Sequence, residues 1–135
     1  FRGDAKRPTF VEWLINCLVN RKPLNLFSDF YTSSIDVDSF VRFCMDPVLL
    51  SASGIYNIAS SSHVSKLKFS QLLAHQLEIS LDWHTEASVL DLRPRRSRFL
   101  GLDCNKVESL LNTSMPSPSQ VIANLVAQYK TRSPI

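Results

Sequence analysis

Four arginines fall within a six-residue stretch of the sequence, at Arg93, Arg95, Arg96 and Arg98. A guanidinium group presents paired N–H donors that match the oxygens of a phosphate group. Pro94 stiffens this stretch, because its ring fixes one backbone angle. An extended basic loop of this kind can clamp a diphosphate or another anion. A solvated basic surface is the alternative interpretation.

Catalytic and cofactor-binding signatures are missing from the sequence. Its three glycines, Gly3, Gly54 and Gly101, lie far apart, so no glycine-rich turn can cradle the phosphates of a nucleotide. No serine stands in a Gly-x-Ser-x-Gly motif. His84 and Glu86 form only a weak pair of metal ligands, because no third ligand is implied. We therefore predict no catalytic residue, no cofactor site and no metal site in this chain.

Length and composition predict one globular domain over residues 1–135. A chain of this size buries a core without needing a disulfide or a metal. Cys17, Cys44 and Cys104 are odd in number and far apart, which indicates thiols in a reducing compartment. No apolar run approaches the roughly 20 residues that cross a bilayer. We therefore expect a cytoplasmic protein.

Five helices and a few short strands are predicted to position the candidate residues. Capping boxes are expected at Thr9 with Glu12 and at Ser117 with Gln120. The helices are expected at about Phe10–Asn20, Asp36–Asp46, Ser65–Glu78, Asp103–Leu111 and Ser117–Tyr129. The strands are expected at Leu24–Phe27, Ile55–Ala59 and Leu81–His84, and an irregular segment at Val89–Phe99.

Helical spacing also predicts which side chains are buried. The second helix is expected to bury the stripe Phe40, Val41 and Cys44, and to end at Asp46 and Pro47. The side chains expected to be largely buried are Trp13, Leu14, Phe40, Phe69, Leu72, Leu73 and Leu125.

Several segments, taken in order, resemble one protein family. The segments are Thr9–Leu14, Leu26–Asp38, Gly54–Ala59, Arg93–Pro94 and Leu102–Lys106. They look like the helix start after the sixth strand, the polar turn before a "PTYV-D" type segment, the "GIYH-L-A" strand and the "RP … LD-S-K" ending of extended short-chain dehydrogenases/reductases. Within that family the sequence is most similar to the dTDP-4-dehydrorhamnose reductase-like group of sugar-nucleotide reductases and epimerases.

The resemblance implies a fold and a ligand. The fold is α/β, as the C-terminal substrate-binding part of an NAD(P)-binding Rossmann-fold enzyme, and the ligand is a nucleoside-diphosphate sugar. Nucleic acid and membrane are not expected as partners. The resemblance assigns seven residues to the substrate site: Arg93 at the diphosphate, Arg95 and Arg96 in support, Thr9 near the nucleotide, and Ser33, Ser34 and Ile35 along the pocket.

The catalytic half of such enzymes is not found in this sequence. Their proton-transfer pair is Tyr-x-x-x-Lys, but Tyr31 and Tyr56 have no lysine four residues later, and Tyr129 has only Lys130. The resemblance therefore implies that NAD(P) binds to the Rossmann domain of a parent protein. This chain would bind substrate without itself transferring hydride.

Departures from the family pattern leave other functions open. Thr9 stands where asparagine is common, Ser34 and Ile35 replace Pro-Thr, and Phe30 replaces a common glutamine. These changes favour an alternative, a non-catalytic interaction or regulatory domain similar to the regulatory β subunit of methionine adenosyltransferase. A third interpretation, an anion or nucleic-acid binder, lacks the interleaved aromatic residues that bind single strands.

Overall fold

A computed structural model describes residues 8–132 as a mixed helix-and-strand fold, which confirms the expected class. Of the predicted domain, residues 1–7 and 133–135 lie outside the described part. The helices are α1 Phe10–Val19, α2 Val37–Leu49, α3 Lys66–Gln76, α4 Asn105–Leu111 and α5 Pro118–Arg132. The strands are β1 Asn25–Phe27, β2 Tyr31–Thr32, β3 Val64–Ser65, β4 Thr85–Ala87 and β5 Phe99–Leu100, with a 3₁₀ turn at Val89–Asp91.

The strands form two small sheets. In the first, β1 pairs in parallel with β4. In the second, β2 lies between β3, which is antiparallel to it, and β5, which is parallel to it. In this second sheet Tyr31 is the register partner of Phe99, and Thr32 that of Leu100. The pairing places the turn after β2 beside the segment that follows the basic stretch.

The start of α1 has the predicted capping box. The backbone N–H of Glu12 donates to the Thr9 hydroxyl (3.3 Å), and the N–H of Thr9 donates to a Glu12 carboxylate oxygen (2.8 Å). Ser117 and Gln120 form the same reciprocal pair before α5, with distances of 2.8 and 3.3 Å. Both boxes satisfy N–H groups that have no partner inside their helix.

The main core lies where α1, α3 and α5 pack with β1. Leu14, Phe69 and Leu73 are buried there as predicted. Leu72 and Leu125 are partly buried against this core. The side chains that make up the cluster are Leu14, Ile15, Cys17, Leu18, Leu24, Leu26, Leu67, Phe69, Leu73, Ala74, Ile122 and Val126.

Trp13 was expected in this core but is 39% exposed, so that prediction is wrong. The buried stripe of α1 runs through Leu14, Ile15, Cys17 and Leu18, and Trp13 lies at its margin. Its ring contacts only the ring of Phe10 among the aromatic contacts of the described residues, at 5.8 Å between centroids. Helical spacing alone does not separate the centre of a stripe from its edge.

A second, smaller core joins α2 and α4, and it corrects the reading of α2. The buried residues of α2 are Ser39, Phe43 and Pro47, whereas the predicted stripe is mostly outside: Phe40 is 43% exposed, Val41 is exposed and Cys44 is half-buried. Residues four apart share a helix face, and the buried face lies one residue, about 100°, from the expected one. The helix also continues through Pro47 instead of ending there.

Two predicted strands are also corrected. Ile55–Ala59 belongs to neither sheet of the described residues. The strand expected at Leu81–His84 forms instead at Thr85–Ala87, where it meets β1. The capping residue of α4 is Cys104 and not the predicted Asp103. The Asp103 carboxylate nevertheless accepts a hydrogen bond from the Asn105 N–H at 2.8 Å. Within residues 8–132 no helix has the length and apolar character needed to cross a membrane.

Candidate functional site

The candidate site is built around the basic stretch, named here the arginine loop, residues 92–98. One carboxylate anchors both ends of the loop. Asp29 accepts hydrogen bonds from the Val89 backbone N–H (2.8 Å) and the Ser88 hydroxyl (2.7 Å) just before the loop. At the other end, Nε of Arg98 lies 3.8 Å from the same carboxylate. The Val89 N–H, then the Ser88 hydroxyl, hold the pKa of Asp29 below its ordinary value of 3.8.

The predicted arginines are all exposed on this loop. Nη1 of Arg93 donates to the carbonyl oxygens of Leu90 and Leu92, both at 3.0 Å. A guanidinium has five N–H donors, so this bonding positions Arg93 and leaves donors facing solvent. Arg95 and Arg96 form no ion pair with any residue in the range 8–132. The bond between Arg93 and Pro94 is cis.

The turn after β2 lies close to the C-terminal end of the loop. The backbone N–H of Leu102 donates to the Ser33 hydroxyl at 2.9 Å, which joins the turn to the chain just after β5. The Ser34 hydroxyl lies 3.3 Å from that of Thr32. Ile35 packs against the second core. The structure therefore brings Ser33 and the end of the arginine loop together, while Ile35 also serves packing.

Thr9 lies at the start of α1, and its hydroxyl donates to the Glu12 carboxylate at 2.9 Å. Its side-chain hydrogen bonds are thus made within the capping box. The next residue, Phe10, links α1 to the start of α3, because its ring lies 4.4 Å from Nζ of Lys66. The place of Thr9 in one site with the arginines stays a prediction.

Lys66 is a charged residue that the sequence reading missed. Its ammonium group lies 4.4 Å from the ring of Phe10 and 5.9 Å from that of Phe30, and burial lowers its pKa. Within the described part of the chain it forms no ion pair. The sequence position of Lys66 could have drawn attention to it. Lys66 is the first residue of α3, and a cation at a helix N-terminus interacts unfavourably with the helix dipole.

Three aromatic rings form a cluster beside the arginine loop, which the sequence reading also missed. The rings of Tyr31 and Phe99 stack at 4.8 Å between centroids and 7° between planes. His63 stands edge-on to both, at 6.0 Å from each. Gly101 allows the close approach, because a Cβ there would lie 3.2 Å from Cβ of His63. Tyr31 and Phe99 lie 68 positions apart and meet only through strand pairing, so no local pattern shows them together.

A second concave region, between α2 and α5, forms an open cleft of about 390 Å³. Asp36 is buried beside it and accepts the N–H of Ser39 (3.0 Å) and the side-chain amide of Asn124 (3.2 Å). These bonds cap α2 and join it to α5, so the carboxylate has a structural role. Across residues 8–132, no three histidine, cysteine or acidic side chains gather as metal ligands.

The described residues do not fit a dinucleotide cofactor. Gly54 has a positive φ of 101°, but the chain directly after it opens no helix. A Cβ there would lie 3.2 Å from Nζ of Lys106, so the glycine accommodates a side chain of the fold. Gly101 faces His63 in the same way. Neither glycine makes the tight turn at a helix start that holds a pyrophosphate.

Comparison with known proteins finds the fold but no sequence family. No family model matches the chain, and no curated protein matches it. The dTDP-4-dehydrorhamnose reductase of Yersinia enterocolitica shares the fold with a TM-score of 0.77 and 17% identity, over 94% of this chain and 46% of the reductase. The Bacillus anthracis reductase in complex with NADP has a TM-score of 0.78 and 15% identity, over 89% and 43%. The UDP-N-acetylglucosamine 4-epimerase of Methanobrevibacter ruminantium, in complex with UDP-N-acetylmuramic acid, has a TM-score of 0.66 and 12% identity, over 93% and 41%.

These structures match nearly all of this chain, while the chain spans less than half of theirs. The expected resemblance to the sugar-nucleotide reductases and epimerases is therefore confirmed at the level of the fold. The shared fold extends over nearly all of this chain, whereas the sequence indicated the resemblance only through the spacing of short motifs.

Proposed function

We propose that this chain is the substrate-binding part of an NAD(P)-dependent sugar-nucleotide oxidoreductase or epimerase, and that it binds a nucleoside-diphosphate sugar. The observation that carries the proposal is the fold shared with dTDP-4-dehydrorhamnose reductases over 89–94% of the chain. The arginine loop adds a matching chemistry, because its exposed guanidinium groups suit a diphosphate.

In this proposal Arg93 contacts the diphosphate, and Arg95 or Arg96 supports it. Asp29 supports the site indirectly, since it fixes the loop on which these cations stand. The turn Ser33–Ile35 lines the pocket beside the loop, where Ser33 already bonds the chain after β5. Thr9 lies toward the nucleotide at the edge of the site.

Hydride transfer and NAD(P) binding belong, in the same proposal, to the Rossmann domain of a cytoplasmic parent protein. The described residues offer no fit for the cofactor, and the matched structures are more than twice as long as this chain. The ligand named with the Bacillus anthracis structure is NADP, which belongs to that protein.

The exposed face of α2 is where that Rossmann domain would pack. Val41, Met45, Val48 and Leu49 recur at helical spacing along it and are all exposed. Ile55, exposed as well, lies in the irregular segment after Gly54, which belongs to neither sheet of the described residues. An exposed apolar helix face of this kind suits a domain that supplies a packing surface.

Calorimetric titration of the full-length parent protein with UDP-glucose tests the diphosphate site. Arg93→Ala should weaken binding by about 1.5–3 kcal/mol, the worth of a hydrogen bond to a charged group. Arg93→Lys should recover only part of the loss, because an ammonium group cannot make the two-pronged contact. Arg42→Ala is the matched control, since Arg42 is an exposed arginine at the other cleft. Equal affinities for the parent protein and Arg93→Ala would remove Arg93 from the site.

A second candidate is the non-catalytic interaction or regulatory domain on the same scaffold. The observation that favours it is again the exposed apolar face of α2, which a different protein would then cover. Leu49→Lys distinguishes the two, because the lysine places a charge in that face. The first function predicts that Leu49→Lys loosens the parent protein's own two domains, seen as faster proteolysis between them. The second predicts an unchanged parent protein that loses a bound partner.

A further inference from the structure

The open cleft between α2 and α5 is a second place where this chain could hold a small molecule. Its volume of about 390 Å³ falls within the size range of small-molecule sites. Every residue that lines it, apart from Ala127, has a polar or charged side chain. No residue of the arginine loop is among them. The cleft is therefore a separate concave region with polar walls of its own.

The α2 wall of the cleft carries two opposite charges that do not pair with each other. Asp38 and Arg42 are four residues apart, so their side chains lie on the same helix face. Within residues 8–132 Arg42 forms no ion pair. Oδ2 of Asp38 accepts a hydrogen bond from the Gln128 amide at 2.7 Å, whereas Oδ1 accepts none from the described side chains. A carboxylate oxygen and guanidinium N–H donors are thus both available to a ligand.

The α5 wall presents two side-chain amides, Asn124 and Gln128, which α2 holds in position. Nδ2 of Asn124 donates to the carboxylate of Asp36 at 3.2 Å, and Asp36 is itself buried. The same Nδ2 lies 3.4 Å from the Ser39 hydroxyl oxygen. Nε2 of Gln128 donates to Asp38. Because both amides direct N–H groups toward α2, their carbonyl oxygens remain as acceptors for a ligand.

We propose that this cleft binds a small zwitterion of the α-amino acid class, with its carboxylate at Arg42 and its ammonium group at Asp38. The carboxylate of such a ligand accepts paired N–H donors from a guanidinium group. The ammonium group has three donors, which Oδ1 of Asp38 and the amide oxygens of Asn124 and Gln128 can accept. Asp38 would repel a simple anion, and Arg42 would repel a simple cation. The two walls therefore favour a ligand that carries both charges close together.

NMR of the full-length protein, titrated with glutamine and two of its analogues, tests this inference. Glutamine is a zwitterion, its methyl ester lacks the carboxylate charge, and N-acetylglutamine lacks the ammonium group. We expect glutamine to cause saturable shifts in the side-chain N–H signals of Arg42, Asn124 and Gln128. Each analogue should bind at least about tenfold more weakly, because it loses the charge-assisted hydrogen bonds of one group.

Substitution of Arg42 separates a specific contact from a general surface charge. Arg42→Ala should weaken glutamine binding by about tenfold or more. Arg42→Lys should recover only part of the loss, because an ammonium group cannot make the paired contact. Arg21→Ala is the matched control, since Arg21 is an exposed arginine outside the cleft, and it should leave glutamine affinity unchanged.

The outcomes also separate the cleft from the diphosphate site. Equal binding of N-acetylglutamine would make the cleft an anion site, and equal binding of the methyl ester a cation site; either result overturns the zwitterion. Glutamine-induced shifts in residues 92–98 instead of the cleft, or no saturable shift with any of the three probes, would overturn it too. Arg93→Ala with UDP-glucose tests the diphosphate site separately, so either proposal can fail while the other stands.

Discussion

The carboxylate of Asp29 determines the position of the arginine loop. It accepts hydrogen bonds from Ser88 and Val89 before the loop and lies 3.8 Å from Arg98 at its end. These donors favour the charged carboxylate, so its pKa lies below 3.8 in the folded chain. The unfolded carboxyl titrates at its ordinary value and binds more protons in that range. The stability that Asp29 contributes is therefore present above pH 3.8 and is lost as pH falls through the folded pKa.

Asp29→Asn tests this anchor, since asparagine keeps the shape and removes the charge. We expect the variant to unfold at lower urea concentration than the parent chain at neutral pH. The difference should shrink as pH falls from 3.8 through the lower folded pKa, where the Asp29 carboxyl becomes protonated in the folded chain too. Asp82→Asn is the control, because Asp82 makes an ion pair with Arg21 in which both side chains are largely exposed, and such pairs contribute little. A difference that persists unchanged in acid would contradict the anchor.

Lys66 supplies a second test, because burial of its charged form costs stability. Burial lowers its pKa below 10.5, so the folded chain binds fewer protons than the unfolded chain near that pH. Stability should therefore rise as pH increases from the folded pKa toward 10.5. Lys66→Met keeps an unbranched side chain without the charge and should abolish this rise in urea unfolding. Lys68→Met, at an exposed position in the same helix, should leave the rise in place.

Among the secondary-structure elements, the helices α2 and α3 differ in how deeply their leucine side chains are buried. Leu73 of α3 is fully buried in the main core, whereas Leu49 at the end of α2 is 76% exposed. The same truncation therefore has different costs. Leu73→Ala should lower the free energy of unfolding by roughly 2–5 kcal/mol, and Leu49→Ala should change it by less than about 0.5 kcal/mol. Denaturant unfolding of the two variants of the 135-residue chain alone measures both, and similar losses would show that α2 packs within this chain.

Capping boxes and the faces of α1, α3 and α5 could be predicted from the sequence because they depend on neighbours a few residues away. Thr9 with Glu12 and Ser117 with Gln120 are examples. The face of α2 was misread because its exposed side is also apolar, so periodicity could not say which side the second core covers. The contacts that organise the site were out of reach for another reason. Val89 and Asp29 are 60 residues apart, and only the folded chain brings them together.

Some features of the candidate site could likewise be predicted from the sequence, and others could not. The arginine loop was visible as composition, because four arginines stand in one short segment. Its exposure agrees with the role assigned to it, although the fold comparison does not test that role. Lys66, Asp29 and the aromatic cluster of Tyr31, His63 and Phe99 were missed, since each acquires its surroundings from a different strand or helix.

At the scale of the whole molecule, the chain corresponds in fold to less than half of each matched enzyme. We therefore expect the 135-residue chain alone to show no oxidation of NADH or NADPH with a 4-keto sugar nucleotide. The physical reason is that neither a dinucleotide turn nor a Tyr-x-x-x-Lys pair is present. Absorbance at the reduced nicotinamide band measures this, with the full-length parent protein as the positive control. Steady turnover by the chain alone would refute the proposed division of roles.

Binding of a nucleoside-diphosphate sugar at the arginine loop can be tested by amide NMR of the full-length parent protein during titration with UDP-glucose. We expect saturable shifts in the amide signals of residues 33–35 and 92–99. The signals of Arg42, Asn124 and Gln128, which line the open cleft between α2 and α5, should stay in place. Saturable shifts confined to that cleft, or no shifts at any ligand concentration, would contradict it.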